Sequence, residues 1–345
     1  MSTSQQSRDQ TSPANTSHTS HTSHTSHAPD LPWRTEPEIA IERQVYLAEH
    51  RSMTPDSKQG IYPFQGVHLN RADVEWLVLT QEDGQGAAVG SNQHKHPGLD
   101  LRGAELRQVD LSHLPLAHML GGRNWVVQFP STEEQIDMAR VHLEGANLGE
   151  AHLKGAFLGG AHLEECFLGK AHLEDAYLEG IHLEGADLEG AHLEGADLGR
   201  AHLEGANLRK AHLEGANLNE AHLEGTTLNE AHLEGANLGG AFLGGKTVPA
   251  EYLKRVRHWD KDVLLPANLR GAFLDATTIL KDASLGDKQF GSVSLADVHW
   301  SEVNLSVVDW EAVTMLGDER KARQTGWRYT YQGAVRAYLQ LSRVL

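Results

Sequence analysis

Ala201-His202-Leu203-Glu204-Gly205-Ala206-Asn207-Leu208-Arg209-Lys210 is the stretch that decides the fold. From Val141 to Gly245 a leucine recurs at nearly every fifth residue, and the phrase Ala-His-Leu-Glu-Gly at nearly every tenth. A period of five suits neither regular element. On a helix, five steps of about 100° scatter the leucines around the axis, and in a flat strand an odd period sends alternate leucines to opposite faces. A bend in every unit restores the direction. Ala201 and Leu203 then lie on one side, His202 and Glu204 on the other, and Gly205 permits the corner before Ala206 starts the next unit. The 105 residues from 141 to 245 make 21 such units. Units this short cannot bury an apolar face alone, so they must stack, and the sequence predicts an all-β solenoid.

The unit Ala-(Asp/Asn)-Leu-x-x, as in Ala186-Asp187-Leu188-Glu189-Gly190, resembles the pentapeptide-repeat family. That resemblance implies a right-handed quadrilateral β-helix, four pentapeptides to a coil, with the central Leu or Phe and the small residue two before it inside. The family includes imitators of DNA, modules attached to other domains and members without an assigned role, so the resemblance implies a fold more than an activity.

Residues 1–30 are Ser, Thr, Gln and His, with His18, His21, His24 and His27 at regular steps, a composition expected to be disordered. Residues 31–98 read as a helical cap and loop: a helix from Glu36 to about Arg51 after Thr35, with Ile41, Val45 and Leu47 to Ala48 at helical spacing, and a second after Asn70 with Val74, Leu77 and Val78 buried. One coil occupies 99–118, and the beat then breaks over 119–140, an insertion loop with a short helix capped near Thr132. After the main block, 246–266 is an insertion with a predicted helix from Pro249 to about His258. Repeats resume over 267–317, shifted by one residue near Thr277, with central positions that include Phe290, Trp300 and Trp310. In all, 35 pentapeptides can be read, and residues 318–345 read as a basic C-terminal helix starting near Thr330, a cap or a homodimer contact.

The formal charge is −17, and residues 141–245 hold 5 Lys/Arg against 18 Asp/Glu. Direct nucleic-acid binding by the repeats is disfavoured, because phosphate requires a basic surface. The single cysteine, Cys166, falls at a small inward position and reads as a buried thiol. No run approaches the ~18 apolar residues of a membrane span, and no signal peptide is evident, so a cytoplasmic location is expected.

Ten histidines from His142 to His232 recur in steps of ten. With a coil of twenty residues they sort into two ladders on opposite faces, spaced by about 4.8 Å, each beside a column of glutamates. The leading reading is a repetitive solvated face. As weaker metal candidates, His162, His182, His202, Glu184 and Glu204 supply suitable ligands without a closed shell. Phe157, Phe167 and Tyr177 stand where Asn or Asp is usual, and with Trp125 and Phe129 of the insertion they are candidate contact residues, the insertion being expected to lie over the first three. Gly240 to Thr247 matches a P-loop spacing, but Ala241 and Leu243 belong to the core beat, and no catalytic or cofactor-binding constellation stands out.

The expected function is a non-enzymatic scaffold that binds an unknown protein partner through its acidic faces and inserted loops. One alternative implied by the resemblance is a DNA mimic acting on the type II topoisomerase gyrase, as in quinolone-resistance relatives. Another is a soluble, shortened relative of pentapeptide-repeat proteins that carry a membrane domain after a helix like the one beginning at Tyr331.

Overall fold

The computed structural model describes residues 31–81, 98–122, 132–247 and most of 263–344, leaving out 265, 282, 288–290, 302, 306–307, 309–312 and 314. Trp33–Leu345 is one compact unit. The polar tail 1–30, the loop 84–97, Trp125, Phe129, the helix expected over 249–258 and the core positions Phe290 and Trp310 lie outside the described residues.

Each pentapeptide contributes one bridged residue, and nearly every bridge in the main block joins residues twenty apart, as in His162↔His182 and Phe167↔Asp187, all parallel. Four ladders result. Taken in chain order, the first face carries Glu105, His142 to His222 and Phe242; the second Asp110, Asn147, Phe167 and Asp187 onwards; the third Pro115, His152 to His232 and Phe273; the fourth Asp100, Leu120, Phe157 and Tyr177 onwards. Within a unit the residue before the bridge and the residue after it point inward, so Ala201 and Leu203 are fully buried beside the half-buried His202. His202 donates its backbone N–H to Ile181 O at 2.9 Å and Leu203 donates to His222 O at 2.9 Å, which ties each coil to both neighbours.

The corner after each leucine is closed by an i→i+3 bond, Ala206 N to Leu203 O at 3.0 Å, and Gly205 sits there at φ 71°. A positive φ at the third position is the mark of a type II turn and explains the glycine. Other corners hold a side chain in the same left-handed region, among them Glu150, Lys170, Arg200 and Lys210.

At the N-terminal end α1 (Ile41–Arg51) and α2 (Arg71–Leu79) cover the stack, with Leu47, Phe64, Val74 and Leu77 in the same apolar cluster as Leu101. α2 begins with a capping box in which the Asn70 side chain accepts from Asp73 N–H and the Asp73 carboxylate accepts from Asn70 N–H. Arg71 pairs with Glu75 at 2.7 Å and donates to the carbonyls of Asp110 and Ser112, which fastens the helix to the first coil.

One sequence expectation needs correction here. α1 starts at Ile41, not Glu36, because the backbone N–H groups of Thr35 and Glu36 are held by the Glu75 carboxylate at 3.0 Å each. Ile41 and Val45 are exposed, since the helix turns only its Leu47 side inward.

The insertions leave the register of the faces intact. Leu120 still bridges Asp100 and Phe157, so the ladder continues past Met119, and the chain returns at His142 below Glu105. In the returning segment, α3 (Glu133–Asp137) is capped by Thr132. The second insertion is closed by β1 (Lys246–Thr247) paired antiparallel with β2 (Val263–Leu264), after which Asn268 lies below Thr227. β3 (Phe273–Asp275) follows.

A third excursion is not evident from the periodicity. β4 (Gly286–Asp287) and β5 (Gly291–Ser292) form an antiparallel pair, and Asn268 bridges Ser294, 26 residues on. Six residues beyond a coil of twenty separate these two rungs, one of them the extra residue near Thr277. β3 pairs in parallel with β6 (His299–Ser301).

The C-terminal segment is two helices rather than one: α4 (Gly317–Thr325) and α5 (Arg328–Val344), separated where Gly326 ends α4 at φ 65°. They close the last coil chemically. The buried Asp318 carboxylate accepts from the backbone N–H groups of Leu295 at 2.6 Å and Ala296 at 2.9 Å, and Arg336 pairs with Asp297 at 2.7 Å.

Candidate functional site

The outward rung positions of the first and third faces are the two histidine ladders. Successive imidazoles stack nearly parallel, with centroids 4.8 to 5.0 Å apart along His142, His162, His182, His202 and His222, and 4.8 to 5.0 Å along His152, His172, His192, His212 and His232. The period forces this. A phrase of ten residues on a coil of twenty lands on two opposite faces and on no other. Each ladder continues into a ring the repeat phrase does not supply: His222 stacks on Phe242 and His232 on Phe273, which in turn stacks on His299.

Beside each ring stands the glutamate two residues later. The Nδ1 to Oε1 distance is 3.1 Å for His142–Glu144, His162–Glu164 and His192–Glu194, and 3.2 to 3.4 Å for the pairs at His172, His182 and His212. The hydrogen bond to Glu164 holds His162 above the usual imidazole range. Burial pushes Glu164 upward, but the bond from His162 and the charges of His162 and His182 carry it below the ordinary carboxylate value, and Glu204 follows the same pattern with His202 and His222. His152 moves the other way, down through burial and the charge of His172. Its own repeat carries Lys154 where the others carry glutamate, so this ring lacks the carboxylate two residues on that bonds His162.

The metal candidates named from the sequence are brought together. His162, Glu164 and His182 form one group and His182, Glu184 and His202 another, each with ligand atoms within 4.8 Å of one another; Glu204 falls in a third group with His222 and Glu224. The sequence reading did not include the equivalent groups of the third face, such as Glu174, His192 and Glu194. It also passed over His68, the rung above Glu105, although Val67-His68-Leu69 repeats the ladder phrase.

The aromatic residues do not form one patch. Phe157 and Tyr177 stack at 4.6 Å on the fourth face, while Phe167 occupies the second, opposite face, because a step of ten residues crosses the coil. Phe167 is 49% exposed and Tyr177 42%. Phe167 borders an open depression of about 370 Å³ also lined by Asn147, Glu150, Lys170, Asp187 and Glu189.

Cys166 is buried, donates to Leu143 O at 2.8 Å and has its thiol pushed up to about 12 by burial. The P-loop-like stretch is not a phosphate cradle: Ala241 and Leu243 are core residues, Phe242 is a rung, and Lys246–Thr247 is strand β1.

The signature of pentapeptide repeats matches this chain in 8 copies, over residues 142–180, 168–205 and 206–245. The chain is also similar to the pentapeptide repeat protein Rfr23 from the cyanobacterium Cyanothece 51142, at 35% identity over 37% of this chain and 83% of that one, with a TM-score of 0.26. The chain belongs to the pentapeptide-repeat family. A right-handed β-helix is the fold that membership implies, and the twenty-residue rungs are its coils.

Two further solved structures are similar to this pentapeptide-repeat protein. A trypsin-treated variant of QnrB1, a plasmid-mediated fluoroquinolone resistance protein, is 18% identical over 68% of this chain and 90% of that one, with a TM-score of 0.38. HetL, involved in heterocyst differentiation regulation in the cyanobacterium Nostoc sp. strain PCC 7120, is 24% identical over 65% and 92%, with a TM-score of 0.21. No curated protein matches the chain in sequence. Among the described residues, no helix is long and apolar enough to cross a membrane.

Proposed function

We propose that this protein is a non-enzymatic scaffold, a quadrilateral β-helix with helical caps and insertions, that binds a protein partner through its acidic faces and inserted segments. The observation that carries this reading is where the insertions leave. The first departs between Leu120 and His142, at the corner of the fourth and first faces, and the second between Phe242 and Asn268, at the corner of the first and second. Both border the first face, and they stand at the two ends of its histidine ladder. Segments set on a rigid frame around a charged surface are suited to recognition. Phe167, exposed in its depression on the adjoining face, is the type of residue that anchors an interface.

The test is a quantitative pull-down from the native cytoplasm, where a single buried cysteine is at home, using the full chain, a variant lacking 123–131 and Phe167→Ala. A partner retained by both variants as well as by the full chain would refute the assignment of the surface. α5 extends the proposal to a homodimer: Tyr331, Val335 and Leu339 lie at helical spacing and are exposed, an apolar stripe that a second copy would cover. Sedimentation of Val335→Glu against the unaltered chain tests it, and identical monomeric behaviour of both refutes it.

The second reading, imitation of DNA toward a type II topoisomerase, is favoured by one feature: columns of carboxylates repeated at a single coil step of about 4.8 Å.

A further inference from the structure

We propose that the two His–Glu ladders bind divalent transition-metal ions of the zinc class, each ion held by imidazole nitrogen and carboxylate oxygen from two successive coils. The inference is independent of the scaffold reading, and either can fail without the other.

The ligand atoms are already at coordination spacing. Two ligands at about 2.1 Å from a tetrahedral zinc lie about 3.4 Å from each other. The Nδ1 to Oε1 separations of 3.1 Å at His162–Glu164, 3.3 Å at His182–Glu184 and 3.4 Å at His212–Glu214 lie at or just below that value. The next coil offers the third ligand. His232 Nδ1 stands 3.5 Å from Glu234 Oε1 and 3.9 Å from Glu214 Oε1, an imidazole between the carboxylates of two coils. Groups of three whose ligand atoms all fall within 4.8 Å occur on both faces: His162, Glu164 and His182 on the first, Glu194, His212 and Glu214 on the third.

A second, separate observation points to a cation. Oε2 of Glu164, Glu174, Glu184, Glu194, Glu214 and Glu234 is buried and has no hydrogen-bond partner. One buried charged oxygen without a partner is an exception that calls for an explanation; six at equivalent positions are a pattern. A metal ion set between the coils satisfies them.

Pre-organisation adds to the case. The rings are held by stacking, with interplanar angles of 2° to 13° along the ladders, so the Nδ1 atoms are aligned before any ion arrives. The donor set selects the metal class, since magnesium and calcium favour all-oxygen shells with six or more ligands, whereas mixed imidazole and carboxylate suits zinc, nickel and cobalt. Three protein ligands leave one position for water. Adjacent groups share residues, as His182 belongs to two of them, and neighbouring ions one coil step apart would repel. Filling is therefore anticooperative along each face.

The experiment uses the full chain with His18, His21, His24 and His27 changed to Asn, which removes the other histidine-rich segment as a source of binding. Zinc titration by calorimetry, and cobalt titration followed by its visible absorption, should show more than one ion per chain with successively weaker steps. Changing Glu164, Glu184, Glu174, Glu194 and Glu214 to Gln in that background should weaken binding by more than about tenfold while circular dichroism stays unchanged. If that variant does not fold, His182→Asn and His212→Asn tested singly carry the same expectation for the first and third faces. X-ray absorption at the zinc edge should show a nitrogen and oxygen shell with imidazole scattering. Absence of binding in the tail-substituted chain up to millimolar metal, or binding unaffected by the ladder substitutions, overturns the proposal.

Discussion

Replacing Leu203 by alanine is the sharpest test of which residues hold the stack. Leu203 is fully buried, and its counterparts one coil away on either side, Leu183 and Leu223, are equally enclosed. Truncation removes three carbon atoms, a loss of about 2.4 kcal/mol at about 0.8 kcal/mol per buried methylene. The space left behind adds to that. The coil cannot close over the gap, because His202 N–H is bonded to Ile181 O and Leu203 N–H to His222 O, both at 2.9 Å. We therefore expect a total near 4 kcal/mol, in the upper half of the range for leucine truncations. His202→Ala removes a half-buried ring stacked on two neighbours and should cost no more than about 1 kcal/mol. Urea unfolding followed by both circular dichroism and tryptophan fluorescence measures the difference. Two probes are needed, because a weakened coil in the middle of a one-dimensional stack can let the ends unfold separately. Equal losses for the two variants would reverse the assignment of inside and outside.

Gly215→Ala isolates the corner geometry: at φ 68° with nothing within 4 Å of the added methyl, the change should cost about 1 kcal/mol through the backbone alone, measured by the shift in urea midpoint, and a neutral result would refute the left-handed corner. Lys154→Glu should raise the His152 titration midpoint in an NMR titration by giving that imidazole the partner its ladder neighbours have; an unchanged midpoint would mean the glutamates do not govern the rings. In chelator-treated protein, His162 contributes stability that is complete below the unfolded imidazole value and lost as pH rises through its raised folded value, while Glu164 and Glu204 contribute stability lost as pH falls through their lowered ones. Melting temperature should thus rise modestly from pH 8 to about 6.5 and fall below about pH 4.5, with His162→Asn flattening the first limb. Inhibition of gyrase supercoiling at protein concentrations comparable with the enzyme's would support DNA mimicry, and none at large excess would remove it.

What was legible in the sequence was whatever the period controls. The spacing of leucine and alanine alone identifies the interior, and the ten-residue phrase alone places both histidine ladders. Errors arose where a non-repeated contact overrides a local signal. Thr35 and Pro37 look like the start of a helix, yet the Glu75 carboxylate takes the N–H groups that a helix start would leave open. Met119 looks like a break because Leu120 is not the polar residue expected outside, yet its backbone forms the rung between Asp100 and Phe157. The hairpin of β4 and β5 was invisible because its residues keep the fivefold beat while leaving the ladder. The aromatic residues were grouped by sequence neighbourhood, which on this coil means opposite faces.

The excursions show why surface and core can vary independently in such a chain. Thr227 and Asn268 are 41 residues apart, and Asn268 and Ser294 are 26 apart, yet each pair occupies adjacent rungs of the second face. An inserted segment is compatible with the stack only if it returns to the corner it left, and the antiparallel pairs β1 with β2 and β4 with β5 secure that return. Both of these excursions leave between a first-face rung and a second-face rung, Phe242 to Asn268 and then Ser284 to Ser294, on successive coils. The first insertion enters the same face from its other corner. Three departures from the repeat are thus gathered around one face while the third face keeps an uninterrupted ladder from Pro115 to His299. The two ladders, identical in phrase, therefore have different surroundings. If the insertions govern recognition, partner binding belongs to the first face and the adjoining second-face border that carries Phe167, while the metal chemistry proposed for the His–Glu groups belongs to the first and third faces. Glutamine substitutions confined to one face at a time separate the two roles: those at Glu164 and Glu184 should disturb both partner and metal, and those at Glu194 and Glu214 metal only.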